Sequence, residues 1–382
     1  MSQHWMAVWG CPITRPSRHP GEWMKDMTIR MELFMTVDGE GLRLHFSNLF
    51  GDNEVRIRRA TVSVAVERRE LDPERLVTVH FEGREEGVIA PHGELSSDEL
   101  ALSFCAGERL SVNLYFEDFT QVTTAHQNSG SRIPKWACPG DQTASIRLPM
   151  EQYGDAPWFP FLHTVDALCQ EDCYSVAAFG DSITAQTWPD RLNERLFAAG
   201  IRHATVIRKA ISGSRVLREY PCASYYSYGP KGLDRFEREV VRAGVKKVIV
   251  LHGVNDLIHP MYEPNPWRPI SDLPTAEELI AGLRYYVETA HAHGIEIYLS
   301  PILPFKGWHS HEQRREEIRQ AVNRWIREES GADGVIPFDD ALADPADKNR
   351  LRAEYDSGDH LHPSGDGAQV MADCIPLSFF KP

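Results

Sequence analysis

The sequence is short of several things, and each shortage closes off a class of protein. No apolar run approaches the roughly 20 residues a membrane-spanning helix needs. The opening stretch MSQHWMAVWGCPITRPSRHP has no Lys or Arg before Arg15 and no sustained apolar core, so it reads as a poor secretory signal. Positive charge is not in excess: 41 Lys and Arg stand against 55 Asp and Glu, a net charge of −14. A nucleic-acid polyanion or an anionic membrane surface would be repelled rather than gathered. Cys-x-x-Cys pairs are missing. The seven cysteines (Cys11, Cys105, Cys138, Cys169, Cys173, Cys222 and Cys374) are odd in number and scattered, which is neither a disulfide framework nor a zinc ribbon. These absences predict a cytoplasmic protein acting on a neutral or weakly charged small molecule. They predict no nucleic-acid or membrane partner and leave the oligomeric state open.

What is present is enough for two domains. The chain has 382 residues, 42% hydrophobic and 25% charged, long enough to bury a core in each half. From Met27 to about Met150 short alternating runs such as MTIRMELFMTV, GLRLHFSNLFG, VRIRRATVSVAV and RLSVNLYFE are separated by VDGEG, FGDNE and CAGE. Period-two alternation with turn residues between predicts an antiparallel β-sandwich over 1–150, with polar positions outward. A Pro- and aromatic-rich joint is expected over 151–173.

From 174 to 382 the period changes. The runs YSVAAFG, ATVIRKAI, KKVIVLHG, IEIYLSPIL and GVIPFD are apolar without alternation, as strands covered on both faces are. Amphipathic helices are expected between them, around 189–199, 233–243, 276–293 and 312–329. Gly200, Gly244 and Gly294 are placed to close helices in the left-handed conformation. The alternation predicts an α/β fold, a parallel sheet with helices on both faces.

In an open parallel sheet the ligand crevice lies beyond the carboxyl ends of the strands. Those loops here carry Gly180-Asp181-Ser182, Ser212-Gly213-Ser214 and Gly253-Val254-Asn255-Asp256, and near the C-terminus stands YDSGDHLHP. Ser182 alone could be a helix N-cap. With a base it becomes a nucleophile, and the base needs a partner to hold its tautomer. Asp359 and His362, with two residues between them, can supply both. The backbone N–H groups of Ser182 and Gly213 and the carboxamide of Asn255 can serve as oxyanion donors, although Gly and Asn-Asp singly are common turn residues.

Together FGDSIT, AISGSRV, LHGVND and DHLHP, in this order, resemble the four blocks of the SGNH hydrolases, the GDSL esterase and lipase family. The resemblance covers 175–382. It implies a flavodoxin-like three-layer fold, with Ser182 as nucleophile, His362 as base, Asp359 orienting it, and Ser182, Gly213 and Asn255 as the oxyanion hole, without cofactor or metal. The glycine block departs from many relatives in having Arg208-Lys209-Ala210 where an Asn and a Gly often stand. The first half, with LRLHFSNLFGDNEVRIRRATVSV, looks like the jelly-roll-like β-sandwich that precedes this domain in some bacterial carbohydrate esterases. The resemblance therefore favours a short-chain ester, an O-acetyl group on a carbohydrate or oligosaccharide, over a lipid, with a lipase or lysophospholipase-type acylhydrolase as the alternative. Trp188, Tyr225, Tyr226, Tyr228, Trp267 and Trp308 could stack on a sugar ring.

Two readings of other classes compete. The windows DHLH, HSH and HAH each hold two histidines, but none has a recognised metal-ligand spacing, and His291 and His293 should diverge on a helix. A non-catalytic carbohydrate-binding protein is the other, since fold does not dictate function.

Overall fold

The computed structural model describes residues 2–16, 23–127, 133–149, 154–155 and 158–381. They fall into two compact units, Met1–Tyr174 with Leu196–Thr205, and Ser175–Arg195 with Val206–Pro382.

The first unit is, up to Tyr174, built of antiparallel β-sheets. One sheet has the order Gln3–Gly10, Leu162–Gln170, Leu42–Ser47, Glu94–Ser96. A larger one runs Gly154–Asp155, Lys135–Pro139, Met27–Phe34, Arg109–Phe116, Arg59–Glu67, Glu70–Leu71. Val8, Leu44 and Phe46 of one sheet share a single buried cluster with Met31, Val62 and Val112 of the other, which is the interior of a sandwich.

Two expectations are corrected here. The joint at 151–173 lies partly outside the described residues, but its described part is strand: Leu162–Gln170 is a central strand of the first sheet, pairing with Gln3–Gly10 on one side and Leu42–Ser47 on the other. Val165, Ala167 and Cys169 alternate into the core, a period hidden in the sequence by the neighbouring Pro and aromatic residues. The polar positions of the larger sheet do not all face outward either. Arg30, Glu32, Ser63, Ser111 and Asn113 are buried. The Arg30 guanidinium donates to Asn113 Oδ1 at 2.6 Å and to the carbonyls of Arg69, Gln142 and Ser145. Chain from 142–145 thus covers this face, and burial lowers the Arg30 pKa to about 10.

The second unit is the α/β half. Its five strands lie in the order Ala204–Ala210, Tyr174–Gly180, Val245–Leu251, Glu296–Leu299, Gly334–Val335. The last four pair in parallel. In chain order this is 2-1-3-4-5, the flavodoxin-like arrangement, with its reversal beside the first strand. The helices are α1 (Ser182–Ala185), α2 (Trp188–Ala198), α3 (Gly232–Val240), α4 (Val254–Ile258), α5 (Ala276–Ala292), α6 (Gln313–Glu328), α7 (Phe338–Leu342) and α8 (Gly365–Cys374). Thr275 and Glu278 form a reciprocal capping box at the start of α5. Gly200 and Gly294 follow α2 and α5 in the left-handed conformation, whereas Gly244, also left-handed, lies beyond the Val241 cap of α3 and turns the chain into the next strand. The strand IEIYLSPIL is shorter than expected and ends at Leu299. No helix of the described residues is long and apolar enough to cross a membrane.

Candidate active site

The first strand of the second unit ends at Gly180, where a Cβ would come within 2.1 Å of the Leu251 carbonyl oxygen. Only glycine lets the two strand ends approach so closely. Asp181 then turns the chain and caps α1, its Oδ1 accepting the Ile183 N–H at 3.1 Å. The cap is therefore aspartate, and Ser182 is the first helical residue. Its N–H is among those without an intrahelical acceptor, and its hydroxyl is spent elsewhere.

Ser182 Oγ lies 2.8 Å from Nε2 of His362. The other ring nitrogen, Nδ1, lies 2.6 Å from Asp359 Oδ2. The second oxygen of Asp359 accepts the backbone N–H groups of Leu361 and His362, at 2.9 and 2.8 Å. The two-residue spacing thus folds the block into a turn that the carboxylate itself closes. Partial burial acts to raise the Asp359 pKa, but the His362 hydrogen bond and the two N–H donors outweigh it, and the carboxyl is held below its ordinary value. A hydroxyl bonded to an imidazole whose far nitrogen is held by an ionised carboxylate can lose its proton as it attacks a carbonyl. His360 goes another way: its Nδ1 pairs with Asp356 at 2.7 Å and its ring covers Gly307.

The glycine and asparagine blocks meet at Ser214. Gly213 has φ 81°, and the Tyr228 ring lies 2.3 Å from where a Cβ would stand, so both conformation and space require glycine. The Ser214 carbonyl accepts from Asn255 Nδ2 at 3.0 Å and from His252 Nε2 at 3.1 Å. One amide proton of Asn255 is committed to this bond, and the carboxamide has a second.

Several residues that shape the site were not found by reading the sequence. Asp256, next to Asn255, accepts the N–H groups of Val216 and Leu217 at 2.7 and 3.0 Å. The two neighbours on α4 thereby clamp the loop that carries Gly213. Arg235 is fully buried; it reaches the carbonyls of Gly180 and Lys209, the Ser214 hydroxyl and the Glu239 carboxylate, joining two strand ends to the glycine loop. An Arg and a Glu at i and i+4 on a helix read in sequence as an ordinary surface pair. Burial raises the Asp181 pKa to about 7 and that of Asp256 to about 6. It lowers His252, which is held as a neutral imidazole accepting from the Tyr286 hydroxyl.

Arg208, where the glycine block departs from many relatives, is buried. It donates to the carbonyls of Ala185 and Gln186 and pairs with Asp190 at 3.2 Å. It thus binds the free carbonyl end of the short helix that Ser182 begins.

Of the aromatic candidates, Trp188 is corrected: it is fully buried, with Phe338 of α7 5.2 Å away between ring centroids. It is the first residue of α2 and faces the core. Tyr225 and Tyr228 pack on Tyr220, whereas Tyr226 and Trp267 are exposed. Trp308 stands edge-on to His362 at 6.4 Å. The two histidines of HAH diverge as expected, His291 to Asp333 and His293 to Glu237.

Residues 178–370, just over half of the chain, match the sequence profile of the GDSL-like lipase/acylhydrolase family. The chain belongs to the GDSL-like lipase/acylhydrolase family. As a member of that family it is a hydrolase acting on esters. No curated protein matches it significantly. Among solved structures it is similar to a GDSL-like lipase from Bacteroides thetaiotaomicron, with 20% identity, a TM-score of 0.37, and coverage of 52% of this chain and 84% of that one. It is also similar to a variant of an acetyl xylan esterase from Geobacillus stearothermophilus, with 20% identity, a TM-score of 0.39, and coverage of 53% and 93%. The Met1–Tyr174 part of the first unit lies outside the matched residues.

Proposed function

We propose that the protein is a serine esterase that removes short acyl groups, acetyl above all, from carbohydrates through an acyl-enzyme. Ser182 attacks the ester carbonyl, His362 takes the serine proton and returns it to the departing alkoxide, and Asp359 stabilises the imidazolium. Water, deprotonated by the same histidine, then releases the acid and restores Ser182. The N–H groups of Ser182 and Gly213 and the second amide proton of Asn255 receive the oxyanion, each such donor contributing about 3–4 kcal/mol to lowering the barrier.

The observation that carries this reading is the unbroken bonding from Ser182 through His362 to Asp359, at 2.8 and 2.6 Å. For the acyl side, Tyr228 packed on Gly213 leaves a close wall that suits acetyl better than a long chain. For the alcohol side, the partly buried rings of Tyr228 and Trp308 stand beside the glycine block and His362, and flat apolar faces flanked by polar groups suit a sugar ring.

Treatment with a serine-reactive phosphonate, followed by mass mapping of the adduct, tests the assignment. The expected result is one adduct on Ser182 and loss of p-nitrophenyl acetate hydrolysis. Full labelling at another residue, or activity surviving complete labelling of Ser182, overturns it.

A further inference from the structure

Beside the glycine block lies a polar contact that the proposed chemistry does not use. The phenol oxygen of Tyr220 is 3.1 Å from the Gly213 carbonyl oxygen and also bonds Nδ1 of His259. Tyr220 is buried. A phenol has one proton to give. If it gave that proton to His259, two oxygen lone pairs would face each other across the bond to Gly213 in a place that water does not reach. Every contact becomes a hydrogen bond in one arrangement only: Nδ1–H of His259 donates to Tyr220 Oη, and Tyr220 O–H donates to the Gly213 carbonyl. The ring is neutral in this arrangement, in keeping with burial and the nearby Arg268, Arg215, His309 and His362, which lower its pKa to about 3.

The consequence falls on the opposite nitrogen. With its proton on Nδ1, His259 presents Nε2 as a lone-pair acceptor. Nε2 has no hydrogen-bond partner among the described residues. The residue is partly exposed, and its ring stacks on Tyr228, the residue that covers Gly213, at 5.7 Å and 15°. Ser310, in the segment that also carries Trp308, bonds the carbonyl of Ile258 immediately before it. His259 therefore stands between the glycine loop and the Trp308 segment, which flanks His362, and offers an acceptor of fixed tautomer.

We infer that His259 is a specificity-determining residue that accepts a hydrogen bond from a hydroxyl on the alcohol part of the ester. The inference rests on the esterase reading and deepens it: it selects polyol esters with a free hydroxyl near the acyl group. A simple aryl or alkyl acetate offers no such donor and gains nothing from it.

The test compares a monoacetylated methyl glycoside with its analogue in which the neighbouring hydroxyls are replaced by hydrogen, p-nitrophenyl acetate serving as reference. Wild type should show a higher kcat/KM for the hydroxylated glycoside by about tenfold or more, the range of one hydrogen bond. His259→Asn keeps an amide where Nδ1 stood, able to donate to Tyr220, and puts nothing at Nε2. Its loss on the hydroxylated glycoside should exceed its loss on p-nitrophenyl acetate by about that factor. His259→Gln, with an amide near the Nε2 position, should recover part of the preference. Equal hydrolysis of the two glycosides by wild type, or an equal loss on all three esters in His259→Asn, overturns the inference while Ser182-dependent hydrolysis leaves the esterase reading standing. No hydrolysis of any of the three by wild type overturns both.

Discussion

Asp181 and Ser182 divide two tasks between adjacent side chains: the carboxylate caps α1 through the Ile183 N–H at 3.1 Å, and the hydroxyl bonds His362 at 2.8 Å. A serine at the start of a helix usually earns its place as the cap. Here the cap is taken by its neighbour, so the hydroxyl contributes little to the helix. Ser182→Ala should therefore melt within a few degrees of wild type. Hydrolysis of p-nitrophenyl acetate should fall by up to about a millionfold. Turnover close to wild type in the purified, folded variant would remove Ser182 from the chemistry.

Asp181 itself links stability to pH. Its pKa is raised to about 7 by burial and, secondarily, by Asp256, from an ordinary value of 3.8. The folded state thus binds a proton that the unfolded chain has already released. Stability is fully present below about pH 4, falls as the pH rises to about 7, and is flat above. Asn caps a helix as well as Asp and cannot ionise. Asp181→Asn should therefore gain on wild type as the pH is raised from 4 to 7, by on the order of a few kcal/mol at about 1.4 per pKa unit. Some slope should remain from Asp256, whose pKa is raised to about 6. Melting both proteins across this range checks it; a constant difference between them would contradict the linkage.

Asp256 is expected to act on catalysis through the glycine loop rather than by touching substrate. Asp256→Ala removes the acceptor of two N–H groups, Val216 and Leu217. Each buried N–H left unpaired costs about 1–3 kcal/mol. The loop carrying Gly213 should loosen, so kcat should fall by about ten- to a hundredfold with a smaller change in KM, and Asp256→Asn, which keeps one acceptor, should recover part of both losses. A wild-type kcat in Asp256→Ala would show that the clamp does not matter to turnover.

The second unit was the more legible half, because continuous apolar runs such as YSVAAFG and amphipathic helices with clear caps leave little choice of pattern. The three residues of the proposed relay were also readable, since each lies just past a strand or in a short block whose spacing brings it to its partner. Gln3–Gly10 and Leu162–Gln170 were not read as strands, although they pair with each other. The first lies in a stretch weighed as a targeting signal, and the second is flanked by proline and aromatic residues that resemble a linker. Arg30 and Glu32 alternate like outward residues and are buried, because their partners come from elsewhere in the chain, Arg69 for both and Ser145 for Arg30. Arg235, Asp256 and the Tyr220–His259 pair escaped because their burial depends on partners that lie tens of residues away in sequence. A charge or hydroxyl in the sequence carries no sign of burial until the chain that surrounds it is in place.

The Asp-x-x-His block separates three roles that substitution can tell apart. Asp359 is held below its ordinary pKa, so it should stay ionised as the solution is acidified past the point where a histidine gains its proton. His362 accepts the serine proton only when neutral, and Asp359 should add no carboxylate step to the kcat/KM profile at or above its ordinary value of 3.8. Asp359→Asn keeps the turn and the base but loses the charge that steadies the imidazolium, and a loss on the order of ten-thousandfold is expected. His362→Ala should lose more, since no proton acceptor remains beside Ser182. His360 is exposed, pairs with Asp356 at 2.7 Å and lies against Gly307, so His360→Ala should cost less than about tenfold. The three variants, folded by circular dichroism and compared for kcat/KM across pH, decide the assignment. If His360→Ala is inactive while His362→Ala turns over, the base is the other histidine and the bonding between Ser182, His362 and Asp359 is structural.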